Sequence, residues 1–271
     1  MPRGMYKRIR DPSKRNASPV VVTRERTTKT FRQTKAYVLC ADCEQRFNLY
    51  GEDWMLKKLG AGKRFPLRER LDVAIPMSTG PEVKKYSCVK AGIDSEKLGY
   101  FALSMLWRGA IHEWQDPLGS PIPKLDLGDM EEPMRRYLLG DGPFPDGIVV
   151  IVRVCDDSMS RETLINPIPA GGVGHYEMLT LGVQFETFVG AAIDPQCRER
   201  AVSVPPTNGY FGEIAAKGRW DIMLPLRGRA SVPNKLSLSG RTRPVHPLPD
   251  GFYLQLHQNN PYARGGQEKV C

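Results

Sequence analysis

The residues best placed to do chemistry are two cysteines in the segment Leu39-Cys40-Ala41-Asp42-Cys43-Glu44. A C-x-x-C spacing lets one short turn present two thiolates to a single metal ion, and zinc completes such a half-site with two further Cys or His ligands. The complementary pair is expected within a few tens of residues, yet residues 1–39 contain neither Cys nor His. The chain therefore reads as carrying half of a zinc site, with Cys40 and Cys43 as its metal ligands. A thioredoxin-like dithiol is disfavoured, because Asp42 and Glu44 are expected to raise the thiol pKa values. Cys88, Cys155, Cys197 and Cys271 show no ligand spacing. Six cysteines scattered through 271 residues are not a disulfide scaffold, which points to a reducing, cytoplasmic setting.

Other chemistry is sparse. His112 lies in an apolar segment, and Glu113, one residue on, does not share its helix face. His175, His246 and His257 sit in loop or tail contexts without a partner pattern. Arg108, Glu113, Glu131 and Glu132 could line a polar site between two helices, although such groups more often cap helices or pair on the surface. Gly171-Gly172-Val173-Gly174 lacks the Lys-Ser/Thr of a phosphate loop, and no nucleophile elbow occurs. The basic segment Arg3, Lys7, Arg8, Arg10, Lys14 and Arg15, with Tyr6 interleaved, suits contacts with a phosphate backbone.

That segment belongs to a strongly uneven charge distribution. Residues 1–35 carry 11 Lys/Arg against 2 acids, and residues 217–271 carry 9 against 3. Residues 36–216 carry 19 against 25, so the net charge of +9 belongs to the two ends. Basic ends attract polyanions without any sequence code. No run of about 18 apolar residues is present, which excludes a transmembrane helix, and no secretory signal accompanies the basic start.

The elements that must position these residues emerge from periodicity. Val20-Val21-Val22-Thr23 reads as a strand, and Lys29–Leu39 approaches the C-x-x-C as a second. Glu44–Leu59 reads as a helix, with Phe47, Tyr50, Trp54 and Leu59 as a loose stripe and Gly60 as its stop. Asp94–Trp114 is the strongest helix, capped by Asp94 or Ser95 and apolar on most of its surface. Leu127–Leu139 reads as another, ended by Gly140. The β-branched run from Gly147 to Asp156 is a buried strand, and Tyr176–Ile193 gives one or two more around Gly182. Asn166–Gly174 is expected to be a connecting loop. The Pro-, Gly- and Arg-rich chain from 217 onward is expected to be disordered.

The segment Val38–Glu44 resembles the L-C-x-x-C stretch late in HNH-type, treble-clef zinc proteins, and Met1-Pro2-Arg3 resembles the residues after the His in their H-I-[IM]-P stretch. Gly51-Glu52-Asp53-Trp54, Trp107-Arg108 and Leu138-Leu139-Gly140 extend the resemblance to a group of bacterial proteins with an N-terminal HNH-like module, over roughly residues 1–195. The resemblance implies that an upstream C-x-x-C and His are missing here. It also implies that Glu44 stands where many active HNH nucleases keep a His, and that the region after the metal-site His lies near nucleic acid. The expectation is an α+β protein in three parts. Residues 1–60 are a truncated treble-clef or zinc-ribbon remnant, 61–216 an α+β domain, and 217–271 a disordered basic tail. Its expected function is nucleic-acid binding without catalysis. The rivals are a metal-dependent HNH-type endonuclease whose catalytic half lies upstream of Met1, and a protein-interaction module with a structural zinc.

Overall fold

The computed structural model describes residues 5, 20–23, 27–29, 38–60, 64–80, 83–116, 119–155, 158–170, 172–195, 197, 210–214 and 253–256. They form an α+β fold in which one mixed sheet is covered on one face by helices. The strands are β1 (Val20–Thr23), β2 (Thr27–Lys29), β3 (Ser78–Thr79), β4 (Val83–Ser87), β7 (Ile148–Val154), β8 (Thr163–Pro169), β9 (His175–Thr180), β10 (Val183–Val189), β11 (Tyr210–Ile214) and β12 (Tyr253–Leu256), beside a small separate ribbon, β5 (Trp114–Gln115) and β6 (Pro121–Ile122). The large sheet runs β2-β1-β12-β8-β9-β10-β7-β11-β4-β3. Its pairings are antiparallel except between β11 and β7.

The centre of the packing is helix α4 (Ser95–Ile111). Asp94 starts it by accepting a hydrogen bond from the Lys97 amide at 3.0 Å, and Glu96 favours its first turn. Leu98, Phe101, Leu103, Met105 and Leu106 are buried on several sides of it. Helix α1 (Ala41–Phe47), a π-helical turn (Asn48–Glu52) and helix α2 (Asp53–Lys58) form one continuous rod against α4. Gly51 makes that contact close. A Cβ there would lie 3.0 Å from the Tyr100 ring and 3.2 Å from the Phe101 Cα. Helix α3 (Pro66–Val73) opens on a proline, where the missing N–H is harmless. Helix α5 (Glu131–Leu139) keeps Pro133 in its first turn and ends at Gly140 in the left-handed region, as its sequence dictates. A short helix, α6 (Ser158–Arg161), precedes β8.

β7 is buried along its whole length, because both faces of the sheet are covered there. Ile148, Val150, Val152 and Val154 join the helical core, whereas Val149 and Ile151 join a second cluster with Phe188 and Cys197 on the opposite face. The alternation reflects the two-residue period of a strand. β9 and β10 form a hairpin whose turn is Leu181-Gly182, with φ of +46° and +92°. Two positive φ values match the right-handed twist of the strands. Gly182 is also hemmed in, since a Cβ would meet the Phe65 ring at 2.7 Å and the Cys155 carbonyl oxygen at 3.2 Å. Gly182→Ala is expected to cost about 1–3 kcal/mol in urea denaturation. An unchanged unfolding midpoint would show that the turn yields freely.

Two expectations are corrected. Asn166–Gly174, expected as a loop, supplies the end of β8. Its prolines are tolerated because the β8–β9 register shifts between Ile165 and Ile168, so that Pro167 falls in the irregularity and breaks no regular ladder. The chain beyond 217, expected to be disordered, contributes β12, which pairs with β1 and β8. The rest of that stretch lies outside the described residues, as does most of the expected strand from Lys29 to Leu39.

Candidate functional site

Cys40 and Cys43 stand at the start of the α1 rod. Cys40 is its N-cap, in extended backbone geometry, and its Sγ accepts from the Cys43 amide at 3.4 Å. Hydrogen bonding from Cys43 lowers the Cys40 thiol pKa, while the Cys43 thiol is raised, chiefly through its own bond to Cys40. The expectation that acidic neighbours would dominate is therefore corrected for Cys40, where the amides of the helix start outweigh Asp42. Both thiols are free, Cys40 is exposed and Cys43 is half-buried. They gather no third metal ligand among the described residues. The two cysteines are thus brought together as expected, but as a pair. The expected phosphate-binding residues Arg3, Lys7, Arg8, Arg10, Lys14 and Arg15 lie outside the described residues.

Arg108 does form a polar site between helices, with partners other than those the sequence suggests. It is 7% exposed and pairs with Glu52, 3% exposed, and with Glu44 at 3.2 Å. Its guanidinium lies 4.8 Å over the Phe47 ring, and its carbonyl accepts from the Trp114 indole at 2.7 Å. The π-helical turn carries Glu52 to this point, and the close approach at Gly51 brings it within reach of α4. Burial lifts the Glu52 carboxyl above the ordinary carboxylate range, against the pull of Arg108. Glu132 instead pairs with Arg135 on the exposed face of α5, at 2.7 Å. His112 ends α4 and packs edge-on against Trp114, with no role in the Arg108 site.

A third constellation is one that the sequence motifs do not announce. His175, Glu177 and Glu186 project from the β9–β10 hairpin on the sheet face away from the helices. Their nearest ligand-type atoms all lie within 4.8 Å of one another, and among the described residues they are the one group able to hold a metal ion. His175 Nε2 is 3.1 Å from Glu186 Oε1 and 4.0 Å from Glu177 Oε1. Glu186 also pairs through Oε2 with the buried Arg153 of β7. Gln184 donates to Glu177 Oε2 at 3.1 Å. The His175 ring stacks on Phe188, with centroids 4.4 Å apart and planes 11° from parallel.

By sequence alone His175 reads as a loop residue, and the structure corrects this by placing it at the start of β9. The signal is present but spread over a hairpin: His175-x-Glu177 and Gln184-x-Glu186-x-Phe188 share one face only if Leu181-Gly182 forms a two-residue turn. The described residues thus hold, apart from Cys40 and Cys43, a separate set of three metal-capable side chains. No helix among the described residues is long and apolar enough to cross a membrane. No protein family, no curated protein and no solved structure matches this chain.

Proposed function

We propose that the protein binds nucleic acid through its phosphate backbone, by way of the basic segment that leads into β1, and that it does so without cutting it. The observation that carries this reading is the antiparallel pairing of β1 with β12, which sets Val20 beside Leu256. The chain before Val20 and the chain after Leu256 leave that strand pair from the same end. The first contains Arg3, Lys7, Arg8, Arg10, Lys14 and Arg15 against Asp11, and the second contains Arg264 and Lys269 against Glu268. The first is strongly basic, while residues 36–216 carry more acids than bases. Summed charge of this kind attracts a polyanion and releases its counterions. The helix start at Cys40 supports reading residues 1–60 as a module derived from an HNH-like treble clef, with Cys40 and Cys43 as half of its zinc site.

The test is anisotropy of a labelled random duplex with the full chain over a range of salt concentrations. The comparison is a variant with Arg3, Lys7, Arg8, Arg10, Lys14 and Arg15 all changed to Gln. Affinity should fall linearly on a log–log plot against salt, and six lost phosphate contacts should flatten the slope by up to about 5. A melting curve checks that the variant folds. Binding that is absent, insensitive to salt, or equally steep in the variant would overturn the reading.

A further inference from the structure

We propose that His175, Glu177 and Glu186 bind one divalent transition-metal ion, with zinc as the preferred occupant. This site stands independently of the nucleic-acid reading, and it places the metal away from Cys40 and Cys43.

The topology makes the site. Glu177 and Glu186 are direct cross-strand partners in the β9–β10 register, and His175 lies two residues from Glu177 on the same face. Two carboxylates placed opposite each other repel, and Glu186 is only 2% exposed. Burying one carboxylate beside another is unfavourable unless positive charge compensates both. Arg153 answers for one oxygen of Glu186, and Gln184 holds one oxygen of Glu177. The other oxygen of each carboxylate lies on the side of His175 Nε2, at 3.1 and 4.0 Å.

Metal ligands are generally held in this manner: an outer partner fixes each carboxylate and leaves its second oxygen aimed inward. The stacking on Phe188 orients the imidazole in the same way. Around a zinc ion with bonds near 2.0–2.2 Å, tetrahedral ligand atoms stand about 3.3 Å apart. The 3.1 Å separation already fits, and the remaining ligand atoms, all within 4.8 Å of one another, need to draw in by an ångström or so. An imidazole among carboxylates suits zinc or manganese better than calcium or magnesium, which prefer oxygen alone. Three protein ligands leave a fourth position for water or another exchangeable ligand, in contrast to the closed four-ligand shell of structural zinc.

The experiment uses the full chain, stripped with a chelator and dialysed, then titrated with zinc chloride by calorimetry. Bound metal is measured after desalting. Three variants are compared: Cys40→Ser/Cys43→Ser, Glu177→Gln and His175→Gln. About one zinc per chain should persist in the cysteine variant. Glu177→Gln and His175→Gln should each weaken binding by at least about 100-fold, since even outer-shell partners are worth 10–100-fold. Circular dichroism establishes that each variant folds. Cobalt substitution of the unaltered chain gives a readout that needs no mutation: a nitrogen–oxygen site shows visible d–d bands without sulfur charge transfer. No zinc uptake, uptake unaffected by both Glu177→Gln and His175→Gln, or uptake abolished in the cysteine variant with a sulfur charge-transfer band for cobalt would each overturn the proposal.

Discussion

Arg108→Met is expected to lower the free energy of unfolding by about 3–5 kcal/mol, a large part of the 5–15 kcal/mol typical of a folded domain. The change keeps much of the length of the side chain and its contact with Phe47, so lost packing is not the main effect. What it removes is the guanidinium paired with Glu52, whose side chain is 4% exposed. Glu44 contributes less, because it is 53% exposed and shares its charge with water. Removing both members of the pair should hurt less than removing one, since replacing a whole buried ion pair with apolar groups is often neutral. Urea denaturation of Arg108→Met, Glu52→Leu and the double variant therefore forms a cycle. A double variant as unstable as the sum of the singles would show that the two side chains act separately.

Glu52 also gives the protein a pH dependence of unusual sign. Most paired carboxylates are held below their ordinary value and lose their stabilising effect in acid. Burial instead holds Glu52 above the ordinary value of 4.5. Its contribution is fully present below that value and is lost as pH rises through the folded-state pKa. Glu52→Gln cannot titrate at this position. The variant should therefore gain stability relative to the unaltered protein as pH rises above 4.5, as read from thermal melts. Parallel curves would mean that Arg108 fully offsets burial.

How much of the fold is legible in the sequence depends on how local each signal is. The Ser95–Ile111 helix is specified by its own cap and its own apolar surface, so Asp94 and the run from Leu98 to Leu106 suffice to place it. The strand Ile148–Val154 announces itself by continuous β-branched residues. β8 is hidden because Asn166-Pro167 is a turn signal in any local reading, and only its partner β9 accommodates the irregularity. The two polar sites are hidden for the same reason. Arg108 stands out in the sequence, but its partner Glu52 lies 56 residues away and reaches it through a π-helical turn that no periodicity forecasts. His175 looks isolated because its ligand-type neighbours include one across a hairpin, 11 residues on. The C-x-x-C, by contrast, is wholly local, and its two cysteines meet as written.

Arg153→Met should also cost about 3–5 kcal/mol, and here the way the loss is repaired reports on function. Arg153 and Glu186 have side chains 5% and 3% exposed, and Glu177 stands directly across from Glu186. Without the guanidinium, the two opposed carboxylates lose their buried cation, with the His175 imidazole beside them. If the pair is purely structural, Arg153→Met/Glu186→Gln should recover much of the stability, and zinc should affect all three proteins equally. If Arg153 braces a metal ligand, the two changes separate. Arg153→Met leaves Glu186 without the partner that orients it, so zinc should bind about 10–100-fold more weakly and add less stability than it adds to the unaltered chain. Saturating ligand at 100 times Kd adds about 2.7 kcal/mol, so thermal melts with and without zinc resolve the difference. The double variant has lost a ligand and should respond to zinc hardly at all. Equal zinc responses in all three proteins would sink the coupling between Arg153 and the metal, and would leave the buried pair as a device of packing alone.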